Sequence, residues 1–201
     1  MDIKTSKPGE VYQVKDRKII SDFLSLDRVW ASEALLSMSD EYWNLASWYA
    51  YKDGNNIGLG LMFKGLSPTP VFLIGEPHCI AHIIRQVVKF DKIFVETPLN
   101  CVGVLKEFYN FHSALIMNKM QLEHFRHSSY TIHPAVRRLT PADFNMAREL
   151  YLRNTEYGNF DMDQFNNGIY FGVQEGSDLV AMAGTTVLCS DYRTATIGNV
   201  I

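Results

Sequence analysis

The stretch Tyr170 to Ile201, YFGVQEGSDLVAMAGTTVLCSDYRTATIGNVI, decides the fold of the second half of this chain of 201 residues. Two apolar runs, Ile169 to Val173 and Leu179 to Leu188, flank a polar connection that contains glycine, Gln174 to Asp178, as in a β-hairpin. A second polar turn then leads into a third run, Thr194 to Ile201. The pattern predicts three antiparallel strands in a meander.

A strand and a helix precede this meander in the sequence. Val136 to Leu139 is typical of a strand, while Thr140 suits a helix N-cap and Pro141 suits the first helical position. Asp143 stands where the acidic residue of a capping box belongs and satisfies that box only loosely. We therefore predict a helix that runs to about Asn154.

The order strand, helix and meander, with VRRLTPADF at 136–144 and ATIGNV at 195–200, resembles the GNAT superfamily of N-acetyltransferases. It is most similar to the tandem branch, in which a degenerate GNAT-like half precedes a catalytic half. The resemblance implies an α/β fold with two mixed sheets and acetyl-coenzyme A as the co-substrate. It also implies acetyl transfer to the amine of a small molecule or a peptide.

The order of elements predicted for the first half is also similar to that of the GNAT superfamily. The pattern predicts two helices before Asp40, a hairpin around Asp53 to Asn56, and then alternating strands and helices. Gly58 and Gly60 leave one face of the second hairpin strand without side chains, which favours a bulge or a close neighbour. The elements expected after the hairpin are strands at 71–74, 93–95 and 113–122 and helices at 78–89 and 99–108.

Four segments follow from the resemblance. They are an N-terminal arm (1–15), a degenerate GNAT-like domain (16–122), a linker (123–134) and the N-terminal part of a GNAT catalytic domain (135–201). In the family, a turn of the pattern Arg/Gln-x-x-Gly-x-Gly/Ala wraps the cofactor pyrophosphate after the fourth strand. Because the chain ends at Ile201, before such a turn, we expect an acetyltransferase that is incomplete and inactive by itself.

The resemblance also implies positions for the site. The backbone of Gly198, Asn199 and Val200 would line the thioester and the pantetheine arm, although an ordinary central strand is the alternative reading. In the loop after the helix, Glu156 would take a proton from the acceptor amine through water and Tyr157 would line the pocket. The alternative is that Glu156 is a solvated loop carboxylate.

Two further features of the first half are weaker candidates. In the first half, the turn at Gly75 is the place that corresponds to the phosphate-binding turn of the family, but Glu76 would repel a phosphate and Pro77 lacks an N–H donor. His78 and His82 stand four residues apart on a predicted helix, and no third ligand accompanies them. We expect neither a cofactor at Gly75 nor a metal at the histidines.

Composition and charge exclude several classes of protein. The net charge is -3 and basic residues cluster only at Arg137 and Arg138, so nucleic-acid binding is not expected. No apolar run reaches the ~20 residues that span a bilayer, and Met1 to Glu10 has no signal-peptide pattern. The three cysteines, Cys79, Cys101 and Cys189, lie in apolar runs as small buried residues do. These features predict a cytoplasmic protein.

Two alternatives stay open. A non-catalytic binding or scaffold module that has kept a GNAT-like fold is the competing hypothesis to an enzyme. In addition, an apolar edge strand templates pairing with another chain, so Thr194 to Ile201 predicts a homodimer through that strand, or else disorder of those residues.

Overall fold

The computed structural model describes residues 9–122, 133–155 and 160–201 of the chain. The fold is mixed α/β with two sheets, as predicted. It divides into two compact units, Met1–Lys119 and Met120–Ile201. Glu156 and Tyr157 lie outside the described residues, as does most of the expected linker.

The first unit contains a five-stranded mixed sheet in the order β1-β2-β3-β4-β5, antiparallel except for the parallel pair β4 and β5. Its elements are β1 (Tyr12–Val14), α1 (Arg17–Leu24), α2 (Ser32–Leu36), β2 (Ala46–Asp53), β3 (Asn56–Phe63), β4 (Thr69–Gly75), α3 (Pro77–Val87), β5 (Ile93–Glu96) and α4 (Val102–Leu105). The predicted helices before Asp40, the hairpin and the strands on either side of α3 are confirmed.

Helix α3 packs closely on β3, because β3 presents glycines to it. A β-carbon at Gly58 would lie 2.8 Å from Cys79 Cβ, and one at Gly60 would lie 3.0 Å from Ile83 Cγ2. Cys79 and Ile83 are fully buried in the core that α3 and the sheet share. The predicted close neighbour of Gly58 and Gly60 is therefore this helix.

The predicted strand over 113–122 is wrong. These residues have no strand structure, and Leu115, Ile116 and Met117 are consecutive and all exposed. A strand needs a hydrogen-bonded neighbour, which an apolar run does not supply by itself. Lys119 fixes this segment instead, since its ammonium forms ion pairs with Glu33 and Glu96.

The predicted helix over 99–108 is shorter than expected. A 3-10 turn at Leu99–Cys101 leads into α4, which ends at Leu105.

The second unit contains a four-stranded sheet in the order β6-β7-β8-β9, antiparallel throughout rather than mixed. Its elements are β6 (Val136–Arg138), α5 (Phe144–Asn154), α6 (Met162–Asn167), β7 (Tyr170–Glu175), β8 (Asp178–Cys189) and β9 (Thr194–Gly198). The predicted meander is confirmed. Helix α6 was not predicted, because it is short and polar and buries Phe165 alone.

The junction between β6 and α5 is held by a polar network around Asp143. The Arg137 guanidinium donates two hydrogen bonds to the Asp143 carboxylate, at 2.9 and 2.7 Å. The main-chain N–H and the hydroxyl of Thr140 donate to the same carboxylate at 2.7 and 2.9 Å. These four donors, with Arg137 the main cause, hold the pKa of Asp143 well below its usual range. The capping box is thus complete rather than loose.

Aromatic rings form the centre of the second core. Phe160 stacks on Tyr151 with ring centroids 5.1 Å apart and meets Tyr170 edge to face at 5.7 Å. Phe165 lies 4.9 Å from the Tyr170 ring. Such pairs add ~0.5–1.5 kcal/mol each beyond the burial of their area. The cluster therefore gives Tyr170 a fixed position at the start of β7.

In the described ranges, no helix is both long enough and apolar enough to cross a membrane.

Candidate functional site

The candidate site lies where β9 ends, beside a row of three residues that crosses the second sheet. Tyr170 on β7 pairs with Gly184 on β8, and Gly184 pairs with Gly198 on β9. A β-carbon at Gly184 would lie only 2.1 Å from Cδ1 of Tyr170, so the tyrosine ring occupies the space that a side chain would fill. Neighbouring strands are ~4.8 Å apart, so the ring extends from β7 over Gly184 of β8 in the direction of β9.

A β-bulge follows Gly198. Gly198 pairs with Gly184, and Ile201 exchanges two main-chain hydrogen bonds of 2.9 Å with Met182. Asn199 and Val200 therefore stand opposite the single residue Ala183. Asn199 has a φ of 50°, the left-handed conformation that the first residue of some bulges adopts.

Among the described residues, the bulge leaves main-chain polar groups without main-chain partners: the N–H and C=O groups of Asn199 and Val200 form no such hydrogen bond. Val200 is 73% exposed, and β9 is the last strand of its sheet. Unpaired donors and acceptors at an exposed strand edge can bind an extended chain of amides.

Asn199 is tied to the core through its side chain. Its Nδ2 donates a hydrogen bond of 3.1 Å to the Tyr170 hydroxyl. Tyr170 is 2% exposed, and this burial raises the pKa of its phenol, while the bond from Asn199 lowers it and Asp161 raises it further. The phenol is therefore neutral at physiological pH and serves as a fixed partner for Asn199.

The predicted site residues are only partly brought together. Gly198 ends β9, and Asn199 and Val200 form the bulge that follows it. The predicted proton acceptor Glu156 and pocket residue Tyr157 lie outside the described residues, after the end of α5.

Two residues of the site were missed by the sequence reasoning, Tyr170 and Gly184. The available signal was the glycine inside the apolar run of β8, because an interior strand glycine often marks a close neighbour.

The turn at Gly75 in the first unit does not fit a pyrophosphate. Gly75 has a φ of 127°, and a β-carbon there would lie 2.2 Å from the carbonyl oxygen of Ile57, so the turn is already packed against β3. The N–H of Glu76 donates to that same oxygen at 3.1 Å, and Pro77 has no N–H. This helix start thus offers few free donors and places a carboxylate beside them.

The two histidines of α3 do not face a common ligand. The His82 ring stacks on Tyr51 at 4.2 Å, whereas His78 Nε2 lies 3.7 Å from Asp53 Oδ2. His78 Nε2 also lies 3.3 Å from the sulfur of Cys79, but burial raises the pKa of that thiol to about 11. The thiol is therefore protonated and is not a nucleophile. In the part of the chain that the structure describes, no group of three metal-ligating side chains occurs.

Comparisons with known proteins add no assignment: no protein-family model matches the chain, no curated protein matches it, and no solved structure matches it.

Proposed function

We propose that the second unit binds the acetyl-pantetheine end of acetyl-coenzyme A and serves acetyl transfer to an amine, as the resemblance to the GNAT superfamily implies. The observation that carries this proposal is the bulge after β9, where the main-chain groups of Asn199 and Val200 have no main-chain partner among the described residues. The order of β6, α5 and the meander β7, β8 and β9 supports it, since strand, helix and meander is the order on which the resemblance rests.

The residues of the bulge suit this part of the co-substrate. Acetyl-coenzyme A, when bound, supplies an activated acetyl thioester. The N–H groups of Asn199 and Val200 can stabilise negative charge that develops on a carbonyl oxygen. The open edge of β9 can pair with amide groups of an extended ligand, as a sheet edge pairs with a peptide. Within this proposal Glu156 is the proton acceptor and Tyr157 lines the acceptor pocket.

Three helix starts that follow a strand do not suit the phosphates. Helix α3 begins at the packed Gly75 turn, the Asp16 carboxylate caps the start of α1, and the start of α5 is already satisfied by Asp143 and Thr140. The pantetheine end should therefore supply most of the affinity of this chain for acetyl-coenzyme A, and that affinity should be low.

For the first unit a second function is favoured, that of a non-catalytic module. The specific observation is the Gly75 turn, where packing against Ile57 and the carboxylate of Glu76 oppose an anion. The unit contains a mixed sheet with a helix between its parallel strands, which is compatible with the architecture that the resemblance implies.

Titration of the 201-residue chain, labelled with nitrogen-15, tests the proposed function. S-acetylpantetheine and acetyl-coenzyme A should both shift the amide signals of Asn199, Val200 and Ile201. Their affinities should agree within about threefold, in the millimolar range of roughly -4 kcal/mol. Inorganic pyrophosphate is the control and should leave these signals unchanged.

Two results would contradict the proposal. Absence of shifts at 199–201 with both thioesters would remove the pantetheine site and leave the chain a non-catalytic module. Micromolar, saturable binding of acetyl-coenzyme A that S-acetylpantetheine does not share would mean that phosphate recognition dominates, against the reading of the Gly75 turn.

A further inference from the structure

We infer that Tyr170 is a positioning residue, which holds the bulge at Asn199 and Val200 open through the hydrogen bond between its hydroxyl and the Asn199 side chain. The part of this inference that concerns a ligand rests on the proposed function. The part that concerns the bulge rests on the contacts of Tyr170 alone.

The position of the Tyr170 hydroxyl is fixed on several sides. Gly184 leaves the ring the space above β8, and a β-carbon at Gly168 would lie 2.7 Å from Cε2 of the same ring. Phe160 and Phe165 contact the remaining faces at centroid distances of 5.7 and 4.9 Å. A ring enclosed in this way has one available orientation, so its oxygen is a rigid anchor.

The conformation of Asn199 needs such an anchor. A φ of 50° is unfavourable for an L-residue relative to the right-handed region, although asparagine tolerates it better than most. The bond of 3.1 Å to Tyr170 offsets this cost because it is available only when the Asn199 side chain turns toward the core. Without that bond, a regular pairing of β9 with β8 would compete with the bulge.

The bond also satisfies a buried phenol. A buried hydroxyl without a partner is unfavourable, so the Tyr170 oxygen favours every conformation that keeps Asn199 beside it. The chain beyond the bulge returns to the core at Ile201, which packs against the buried core of the second unit and pairs with Met182. The bulge is thus fixed at three points: the Gly198 pair, the Asn199 side chain and the Ile201 pair.

Hydrogen exchange in the variant Tyr170→Phe tests the inference without any ligand. Two amides of the same unit are compared: Ile201 N–H, which donates to Met182 beyond the bulge, and Leu139 N–H, which donates to the carbonyl of Tyr170 itself. Loss of one hydrogen bond of ~1 kcal/mol should speed exchange at Ile201 about fivefold. Exchange at Leu139 should change less than about twofold, because its own bond does not involve the hydroxyl.

Asn199→Gly separates the hydrogen bond from the backbone conformation. Glycine accepts a φ of 50° without strain but has no side chain to bond Tyr170. If the bond positions the bulge, this variant should speed exchange at Ile201 as Tyr170→Phe does, and the double variant should add nothing. Tyr109→Phe is the matched control, because it also removes one bond from a tyrosine hydroxyl, to the Phe90 carbonyl, in the first unit.

Each outcome decides the inference. Faster exchange at Ile201 alone, with no further effect in the double variant, supports it. Equal acceleration of exchange at Ile201 and Leu139 overturns the inference, because Tyr170 would then only stabilise the core. Unchanged exchange at Ile201 also overturns it, and so do additive effects in the double variant. In parallel, Tyr170→Phe should lower the affinity for S-acetylpantetheine, measured from the amide shifts at 199–201, about fivefold by the same loss of ~1 kcal/mol. If the unmodified chain shows no such shifts, the proposed function fails while the exchange result stands.

Discussion

Replacement of Asp143 by asparagine should destabilise the second unit by about 2 kcal/mol at neutral pH. The carboxylate accepts two hydrogen bonds from Arg137 and two from Thr140, and an amide of the same shape can accept only part of this set. Hydrogen bonds to a charged group contribute ~1.5–3 kcal/mol each. Because the Arg137 side chain is 38% exposed, solvent screening reduces the contribution of the pair, which is why the expected loss is well below the sum.

The loss should depend on pH in a defined direction. The pKa of Asp143 is depressed in the folded chain, chiefly by Arg137, whereas the pKa of an unfolded aspartate is about 3.9. The stabilisation is therefore fully present above that unfolded pKa and is lost as the pH falls through the folded pKa. The difference between the unmodified chain and Asp143→Asn should accordingly be full at pH 7 and clearly smaller at about pH 2.

Urea unfolding followed through the amide signals of β8 measures this unit separately from the first. Asp191→Asn, at an exposed turn position, is the control and should cost less than about 0.5 kcal/mol. A loss for Asp143→Asn no greater than that of the control at pH 7 would refute the reasoning, as would a loss that is the same at both pH values.

Three further changes have expected outcomes. Charging the exposed edge with Val200→Lys should shift any dimer toward monomer in light scattering, and an unmodified chain that is already a monodisperse monomer would contradict the homodimer proposed through 194–201. Gly75→Ala should destabilise the first unit by at least ~3 kcal/mol, against roughly 1 kcal/mol for Gly54→Ala, because both glycines have positive φ but of the two only Gly75 also faces a backbone oxygen. Fluorescence of the three tryptophans, which all lie in this unit, measures its unfolding. Equal losses of stability in the two variants would contradict the packing argument. Lys119→Met should destabilise the first unit by ~1–3 kcal/mol at pH 7, because it removes the ion-pair partner of Glu96. The loss of stability should be smaller at pH 4, since burial and Glu33 raise the pKa of Glu96 and a protonated Glu96 forms no ion pair. A loss that is the same at pH 4 and pH 7 would contradict this.

Local chemistry explains what the sequence predicted well. The turn at Asp53 to Asn56 and the turn at Gln174 to Asp178 contain residues that favour tight connections, so both hairpins follow from short segments. Thr140, Pro141 and Asp143 mark the helix start by hydrogen bonds within four residues of one another. Such signals are complete within the segment that carries them.

The features that were missed depend on residues far apart in the chain. The apolar run at 113–122 has the composition of a strand, but its pairing depends on a neighbour that its own residues do not specify. The residues at the end of β9 were expected to line the site, but the bulge that they form was not predicted, because it depends on the register between β8 and β9. That Tyr170 reaches Asn199 requires the pairing of three strands at once, which no single segment encodes.

The close contact between Tyr170 and Gly184 restricts the order in which this protein can change by mutation. Any residue with a β-carbon at position 184 meets the tyrosine ring at 2.1 Å, so such a substitution is harmful as long as the ring is present. A smaller side chain at position 170 removes that obstacle but also removes the bond to Asn199. The two positions therefore interact epistatically, and functional variants should keep tyrosine at position 170 together with glycine at position 184. A lineage that replaces the tyrosine first would pass through an intermediate in which the end of β9 is no longer fixed.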